Sequence, residues 1–256
     1  MTKDYLNPFL KNSKAMFLAY DHGFEHGPKD LRGKSLDPEY ILDLAVKGGY
    51  TGIILQKGIA EKYYTNTKYQ RRIPLILKMN GKTNLRPQEE PYSAINCRVE
   101  YAKKLGAQAV GYTIYLGSEW EGKMFEDFGR IQEEAHRLNM AAIAWIYPRG
   151  KAIINEFDPE IIKYAARIGL ELGADLIKIK YPGSEEAMRE VVKLAGKTKV
   201  VLSGGPQINE EEFLAEVKKI IKAGAIGVAV GRNVWQRDNA LEITEKIKKI
   251  IFLNSL

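Results

Sequence analysis

Eight short apolar runs, rich in β-branched and aromatic residues, recur along the chain at residues 16–20, 52–56, 73–79, 109–115, 141–147, 176–180, 200–202 and 227–230. Runs of this length bounded by turn residues predict buried strands. Between them apolar residues repeat at three- and four-residue spacing, which predicts amphipathic helices over 38–47, 93–105, 125–138, 159–172, 185–194, 210–223 and 240–251. Three of these helices close on Leu-Gly106-Ala, Leu-Gly173-Ala and Ala-Gly224-Ala, where glycine takes a left-handed cap and the chain turns into the next strand. The second unit fits least well: 57–66 reads as a weak helix and 67–72 as a polar connector. Strand and helix alternating eight times predict an α/β fold closed as a (β/α)8 TIM barrel rather than an open sheet. No long linker interrupts the alternation, so residues 1–256 are expected to form a single barrel domain.

Composition narrows the class. With 256 residues, 45% of them hydrophobic, the chain has material for one large core. It carries no apolar stretch of membrane-spanning length, and its start, Met1-Thr-Lys-Asp-Tyr-Leu-Asn-Pro8, lacks the apolar segment of a signal peptide. A soluble, cytoplasmic protein with no membrane partner is expected. Cys97 is the single cysteine; it falls in a helical pattern that begins at Tyr92, has no internal disulfide partner, and is expected to pack as a small apolar side chain. The formal charge of +7 is mostly carried on helical stretches that also hold glutamate, such as 210–222, and no nucleic-acid motif accompanies it. Solvated helix faces explain most of that charge, with attraction of an anionic substrate as the lesser reading and nucleic acid not expected.

In a barrel of this kind the working groups stand at the C-terminal ends of the strands. The sixth run, Asp175-Leu-Ile-Lys-Ile-Lys-Tyr-Pro-Gly183, sets Lys178 and Lys180 two residues apart. Alternation predicts both amines on one face, about 6–7 Å from each other. Two ammonium groups so placed in a partly dry cavity push each other's pKa down and leave one amine free to add to a carbonyl. Rim lysines paired with carboxylates are the commoner case; the polar and glycine-rich ends of the neighbouring runs argue for the rarer one. The first run ends in Ala19-Tyr-Asp-His-Gly23, where Asp21 either reaches the mouth on the face of Phe17 and Ala19 or caps the turn behind it. On the fifth, Ile143, Trp145 and Tyr147 are expected inward, with Ala142 and Ala144 toward the helices. Trp145 alone reads as core filling, whereas the Tyr147 hydroxyl is expected at the height of the lysines. The seventh and eighth runs end in Ser203-Gly-Gly-Pro206 and Gly231-Arg-Asn-Val-Trp235, and glycine N–H groups with Arg232 on those two strands favour a phosphate site. Together these parts describe an enzyme that anchors a phosphorylated carbonyl compound, attacks it with a lysine, and breaks a carbon–carbon bond into the resulting iminium. A tyrosine and an aspartate nearby would move protons and hold hydroxyls, with no metal or other cofactor.

The same residues carry a resemblance. Ala19-Tyr-Asp-His-Gly-Phe-Glu-His-Gly-Pro28, Trp145-Ile-Tyr-Pro-Arg-Gly150, Ile177-Lys-Ile-Lys-Tyr-Pro-Gly183, Ser203-Gly-Gly-Pro206 and Gly231-Arg-Asn-Val-Trp-Gln-Arg237 together resemble the archaeal-type class I fructose-1,6-bisphosphate aldolases, over nearly the whole chain. The resemblance implies that Lys178 forms the Schiff base, a choice that alternation leaves open because Lys180 shares its face. It implies that Tyr147 transfers protons, that Asp21 engages the substrate near the cleaved bond, and that Trp145 lines the site. It makes Ser203, Gly204, Gly205, Gly231 and Arg232 the phosphate cradle. The implied reaction is reversible cleavage of fructose 1,6-bisphosphate to dihydroxyacetone phosphate and glyceraldehyde 3-phosphate, in a homo-oligomer that in this family is commonly a decameric ring. The apolar carboxyl end, Ile250-Ile-Phe-Leu-Asn-Ser-Leu256, either joins such a contact or docks on its own barrel.

Three rivals define what must be distinguished. A metal-dependent aldolase has only His22, His26 and His136 to draw on, the last in a helical stretch. A sister enzyme such as 2-amino-3,7-dideoxy-D-threo-hept-6-ulosonate synthase shares the aspartate, tyrosine and lysine, while Phe24-Glu-His-Gly-Pro28 and Trp145 favour the bisphosphate aldolase. A non-covalent sugar-phosphate binder would use Lys178 only as a charge. Arg149, His26 and Lys180 are unranked candidates for a second phosphate.

Overall fold

In the computed structural model, which describes residues 4–253, all eight predicted strands form. They are β1 (Ala15–Tyr20), β2 (Gly52–Gln56), β3 (Leu75–Lys78), β4 (Ala107–Leu116), β5 (Ala141–Pro148), β6 (Leu176–Ile179), β7 (Lys199–Ser203) and β8 (Gly227–Val230). Each pairs in parallel with its neighbours in sequence, and β8 closes on β1 with Ala15 opposite Gly227. That closure needs a glycine: a Cβ at Gly227 would lie 1.6 Å from the Ala15 carbonyl oxygen. The expected (β/α)8 barrel is therefore the observed fold.

The strands are apolar nearly throughout because both of their faces are buried, one in the barrel and one under helices. The two faces can be told apart at β5. Trp145 projects inward onto Gly111 of β4, where a Cβ would fall 1.4 Å from its ring, whereas Ile146 and Ile177 meet Gly169 on the outer helix Pro159–Glu171. Helix starts are set by side chains that accept backbone N–H groups: Asp37, Asp158, Ser184 and Asn209 cap the helices Pro38–Lys47, Pro159–Glu171, Glu185–Ala195 and Glu210–Lys222. The predicted glycine stops hold, with φ of 88° at Gly106, 77° at Gly173 and 100° at Gly224.

Two expectations need correction. The helix expected over 93–105 forms only at Val99–Lys104, and Ala94–Ile95 instead pair antiparallel with Asn80–Gly81. Asn80 is the cause: its side-chain amide donates to the Ser93 and Thr113 carbonyls, and the Asn96 N–H donates to Met79 O. Those bonds hold the backbone extended against its helical spacing. Cys97 therefore lies in the connector before the helix, although it is buried as expected. In the second unit, 57–66 is a short helical turn at Lys57–Ile59 that widens into a π turn over Ala60–Tyr64, and the connector carries a 3-10 turn at Lys68–Arg71.

The last helix, Ala240–Phe252, buries Ile250, Ile251 and Phe252, so this part of the carboxyl end docks on its own barrel; residues 254–256 lie outside the described residues. Among the described residues no helix is long and apolar enough to cross a membrane.

Candidate active site

The C-terminal strand ends surround a cavity of about 710 Å³, and all nine site residues expected from the sequence line it: Asp21, Trp145, Tyr147, Lys178, Ser203, Gly204, Gly205, Gly231 and Arg232. Lys178 is 5% exposed, stands in register with Trp145 of β5, and places Nζ 5.6 Å from that ring's centroid. Among the described residues it makes no hydrogen bond or ion pair. Burial lowers its pKa from the usual 10.5; Asp21 and Glu25 pull the other way, and Arg149 and Arg232 add to the lowering. A buried amine without an ion-pair partner is a nucleophile at a pH where an ordinary lysine is almost wholly protonated.

Lys180 plays a different part from the one its spacing suggests. β6 ends at Ile179, and the Lys180 amine turns to the carboxylate of Glu156 and lies 4.4 Å from the Phe157 ring centroid. It lines the same cavity, but desolvation, not repulsion from Lys180, dominates the depression at Lys178.

Two charged residues that sequence reasoning passed over complete the floor of the site. Lys78 is 2% exposed, with Nζ 3.5 Å from Asp21 Oδ2, 4.0 Å from Glu25 Oε2 and 5.1 Å from the Trp145 ring centroid. Glu25 accepts a hydrogen bond of 2.6 Å from the Tyr115 hydroxyl and one of 3.4 Å from Arg149. The signal for Lys78 was a lone charge near the end of the apolar run Leu75-Ile-Leu-Lys-Met79. Glu25 carried none beyond its place in a histidine-rich turn, since its partners come from β4 and from beyond β5.

Asp21 is buried and makes no capping bond to the short helix His22–His26, so it faces the mouth. Burial alone would raise its carboxyl, but Lys78, Lys178 and His22 outweigh that and hold it well below the usual carboxylate range. His22, 3.6 Å from Asp21, is pushed down to about 4, chiefly by burial, and is neutral near pH 7. The Tyr147 hydroxyl lies 3.3 Å from Ser203 Oγ, and the Arg149 guanidinium sits 4.9 Å from the centroid of its ring. Burial raises the phenol well above its ordinary 10, so it stays a proton donor. His136 lies away from the cavity, stacked on Tyr5 and bonded to Asp175.

On the opposite side, Arg232 donates through Nη1 to Asp30 at 3.0 Å, while its buried Nε has no partner among the described residues. Gly205 adopts φ 63°, and Gly231 packs so closely under His22 that a Cβ would lie 2.4 Å from the ring. The Gly204 N–H is spent on the Ala229 carbonyl, which removes it from the expected free donors of the cradle. Asn233, also unanticipated, ties the two glycine turns together: its amide donates to the Gly204 and Pro206 carbonyls and its oxygen accepts the Ile208 N–H.

A closed parallel barrel with an unpaired, buried lysine at its mouth defines an enzyme class that works on carbonyl compounds through amine addition. Residues 15–237 match the model of the DeoC/LacD family aldolases. The chain is 50% identical over 255 residues to the class 1 fructose-bisphosphate aldolase of Thermoproteus tenax, covering 98% of this chain and 95% of that one. It is 36% identical to the fructose-bisphosphate aldolase/6-deoxy-5-ketofructose 1-phosphate synthase of Methanocaldococcus jannaschii, covering 97% and 84%. A solved structure of an archaeal fructose-1,6-bisphosphate aldolase, its catalytic lysine covalently bound to the carbinolamine intermediate, matches with a TM-score of 0.92 at 50% identity, covering 97% of this chain and 98% of that one. The chain belongs to the DeoC/LacD family of aldolases and, within it, to the class 1 fructose-bisphosphate aldolases.

Proposed function

We propose that this protein reversibly cleaves fructose 1,6-bisphosphate to dihydroxyacetone phosphate and glyceraldehyde 3-phosphate through a Schiff base on Lys178, a step of glycolysis and gluconeogenesis. The observation that carries the assignment of the nucleophile is the Lys178 amine itself, buried beside Trp145 with no carboxylate among the described residues paired to it. Its lone pair adds to the C2 carbonyl to give a carbinolamine. Tyr147, kept protonated by burial, gives its proton to the departing hydroxyl, so that water leaves and an iminium forms. The phenolate then takes the proton of the C4 hydroxyl as the C3–C4 bond breaks. The bonding pair moves into the iminium, leaving an enamine and releasing glyceraldehyde 3-phosphate. Return of that proton to C3 and hydrolysis of the iminium release dihydroxyacetone phosphate and the free lysine. Asp21, ionised throughout, accepts a hydrogen bond from a substrate hydroxyl near the breaking bond.

Arg232, Ser203 and the turns at Gly205 and Gly231 hold one phosphate, the unpartnered Arg232 Nε being the donor that awaits it. Arg149 and Lys180, which both lean on Glu156, serve the other. The protein acts in the cytoplasm as one catalytic barrel domain per subunit of a homo-oligomer. Exposed Leu36, Leu85 and Ile154 offer apolar surface for such contacts, and sedimentation velocity tests the assembly.

Incubation with dihydroxyacetone phosphate, borohydride reduction and peptide mass mapping should find the adduct on Lys178 and lose it in Lys178→Met. Absence of an adduct while the ligand is shown to bind overturns the covalent reading in favour of a non-covalent sugar-phosphate binder. Turnover of fructose 1,6-bisphosphate against a heptulosonate precursor separates this enzyme from its sister aldolases.

A further inference from the structure

The floor of the cavity holds more buried charge than the bond-breaking step uses. Two carboxylates, Asp21 and Glu25, act on the Lys178 amine, yet both pair with Lys78, which comes from β3 on the far side of Trp145's neighbour β4, and Glu25 pairs with Arg149 as well. Lys78 and Lys178 are each within 6 Å of the same indole centroid, and only Lys78 has carboxylate partners. We propose that Lys78 is a positioning residue for the lysine chemistry: it is the resident cation for Asp21 and Glu25, and its presence there leaves Lys178 the free amine. This inference rests on Lys178 being the nucleophile.

The physical reason is charge balance in a dry site. A buried carboxylate without a cation is costly, and it recruits the nearest amine as an ammonium ion. If Lys78 were absent, Lys178 would be the amine left to act on Asp21. Asp21 and Glu25 already favour its charged form, against burial, Arg149 and Arg232. Arg149 stays beside Glu25 at 3.4 Å, but no other group facing the site supplies the cation that Asp21 would lose. His22 is neutral near pH 7, Tyr147 stays a neutral phenol, and Lys180 is held by Glu156. Lys178 protonated by such a pairing cannot add to a carbonyl. A second amine thus keeps two anions in place for substrate hydroxyls without disabling the nucleophile.

The test follows the rate of borohydride-trapped adduct formation on Lys178 with dihydroxyacetone phosphate as a function of pH, in the wild type, Lys78→Met, Lys78→Arg and the double variant Lys78→Met/Asp21→Asn. In Lys78→Met the acid limb of the trapping rate should move up by about one pH unit or more, with about tenfold slower trapping per unit below it. Trapping at high pH should recover. Lys78→Arg, which retains the cation, should return the limb toward the wild-type position. The double variant removes one charge of each sign and leaves Glu25 to Arg149, so it should do the same and also remain folded if the single variant does not. A limb that stays at the wild-type pH in Lys78→Met, or in a folded Lys78→Met/Asp21→Asn shifts up despite the restored balance, overturns the inference. A wild-type adduct on a lysine other than Lys178 overturns the underlying reading instead, and the peptide map distinguishes the two failures.

Discussion

The two sides of the barrel mouth are built in opposite ways. On the β1 and β3 side the charges are matched within the protein: Lys78 with Asp21 and Glu25, and Glu25 further with Tyr115 and Arg149. On the β7 and β8 side the backbone is opened by glycines, and a guanidinium Nε is left buried without a partner among the described residues. A matched cluster fixes charge states before any ligand arrives, which suits a nucleophile, an anion and a proton donor that must coexist. An unmatched cradle waits for an anion to complete it, which suits anchoring. The first side is expected to govern kcat and its pH dependence, the second KM.

The largest expected effect removes the nucleophile that the matched side serves. Lys178→Met should lower kcat by about 10⁴-fold or more while the protein still binds sugar phosphate, as read by calorimetry; activity near wild type would break the comparison outright. Tyr147→Phe should lower kcat by about 10²–10⁴-fold, the range of a lost proton-transfer group, with KM little changed in steady-state assays. Arg232→Met tests the open side. Loss of a charged hydrogen bond to phosphate costs about 1.5–3 kcal/mol, or about 10–100-fold, and this should appear in KM and in inhibition by inorganic phosphate rather than in kcat. If Arg232→Met lowered kcat and spared KM, the division between the two sides would be wrong.

The smallest effect concerns stability. The folded protein holds His22 down to about 4 against an ordinary 6.5, so the unfolded chain takes up a proton first as pH falls. Stability present above pH 6.5 should therefore decline toward pH 4 and level off below it. Its size should be about 1–3 kcal/mol, since the ring keeps 13% exposure and solvent screens part of the penalty. Urea unfolding of the wild type and His22→Gln at pH 7.5 and 4.5 measures it, and an equal loss in both proteins would place the acid sensitivity elsewhere.

The eight strands and most helices were legible because burial on both faces of a parallel barrel strand, and on one face of its helix, imposes local patterns of period and capping. The nine lining residues were legible because strand ends in a barrel face one mouth. Where a local pattern competed with a tertiary bond, it failed: Asn80 holds 93–96 extended although the spacing there is helical.

Sequence by itself thus determined the barrel, the order of its strands and the identity of the aldolase motifs, since each depends on residues near one another along the chain. Which lysine is free and which is tied was decided only in three dimensions. Lys178 and Lys180 are alike in spacing, but Glu156 from the loop after β5 takes one and no carboxylate among the described residues takes the other. Lys78 stands 100 residues from Lys178 in sequence, yet the closed ring brings both to the same indole. Charge state depends on burial and on partners contributed by several strands, and those become neighbours only when the barrel closes.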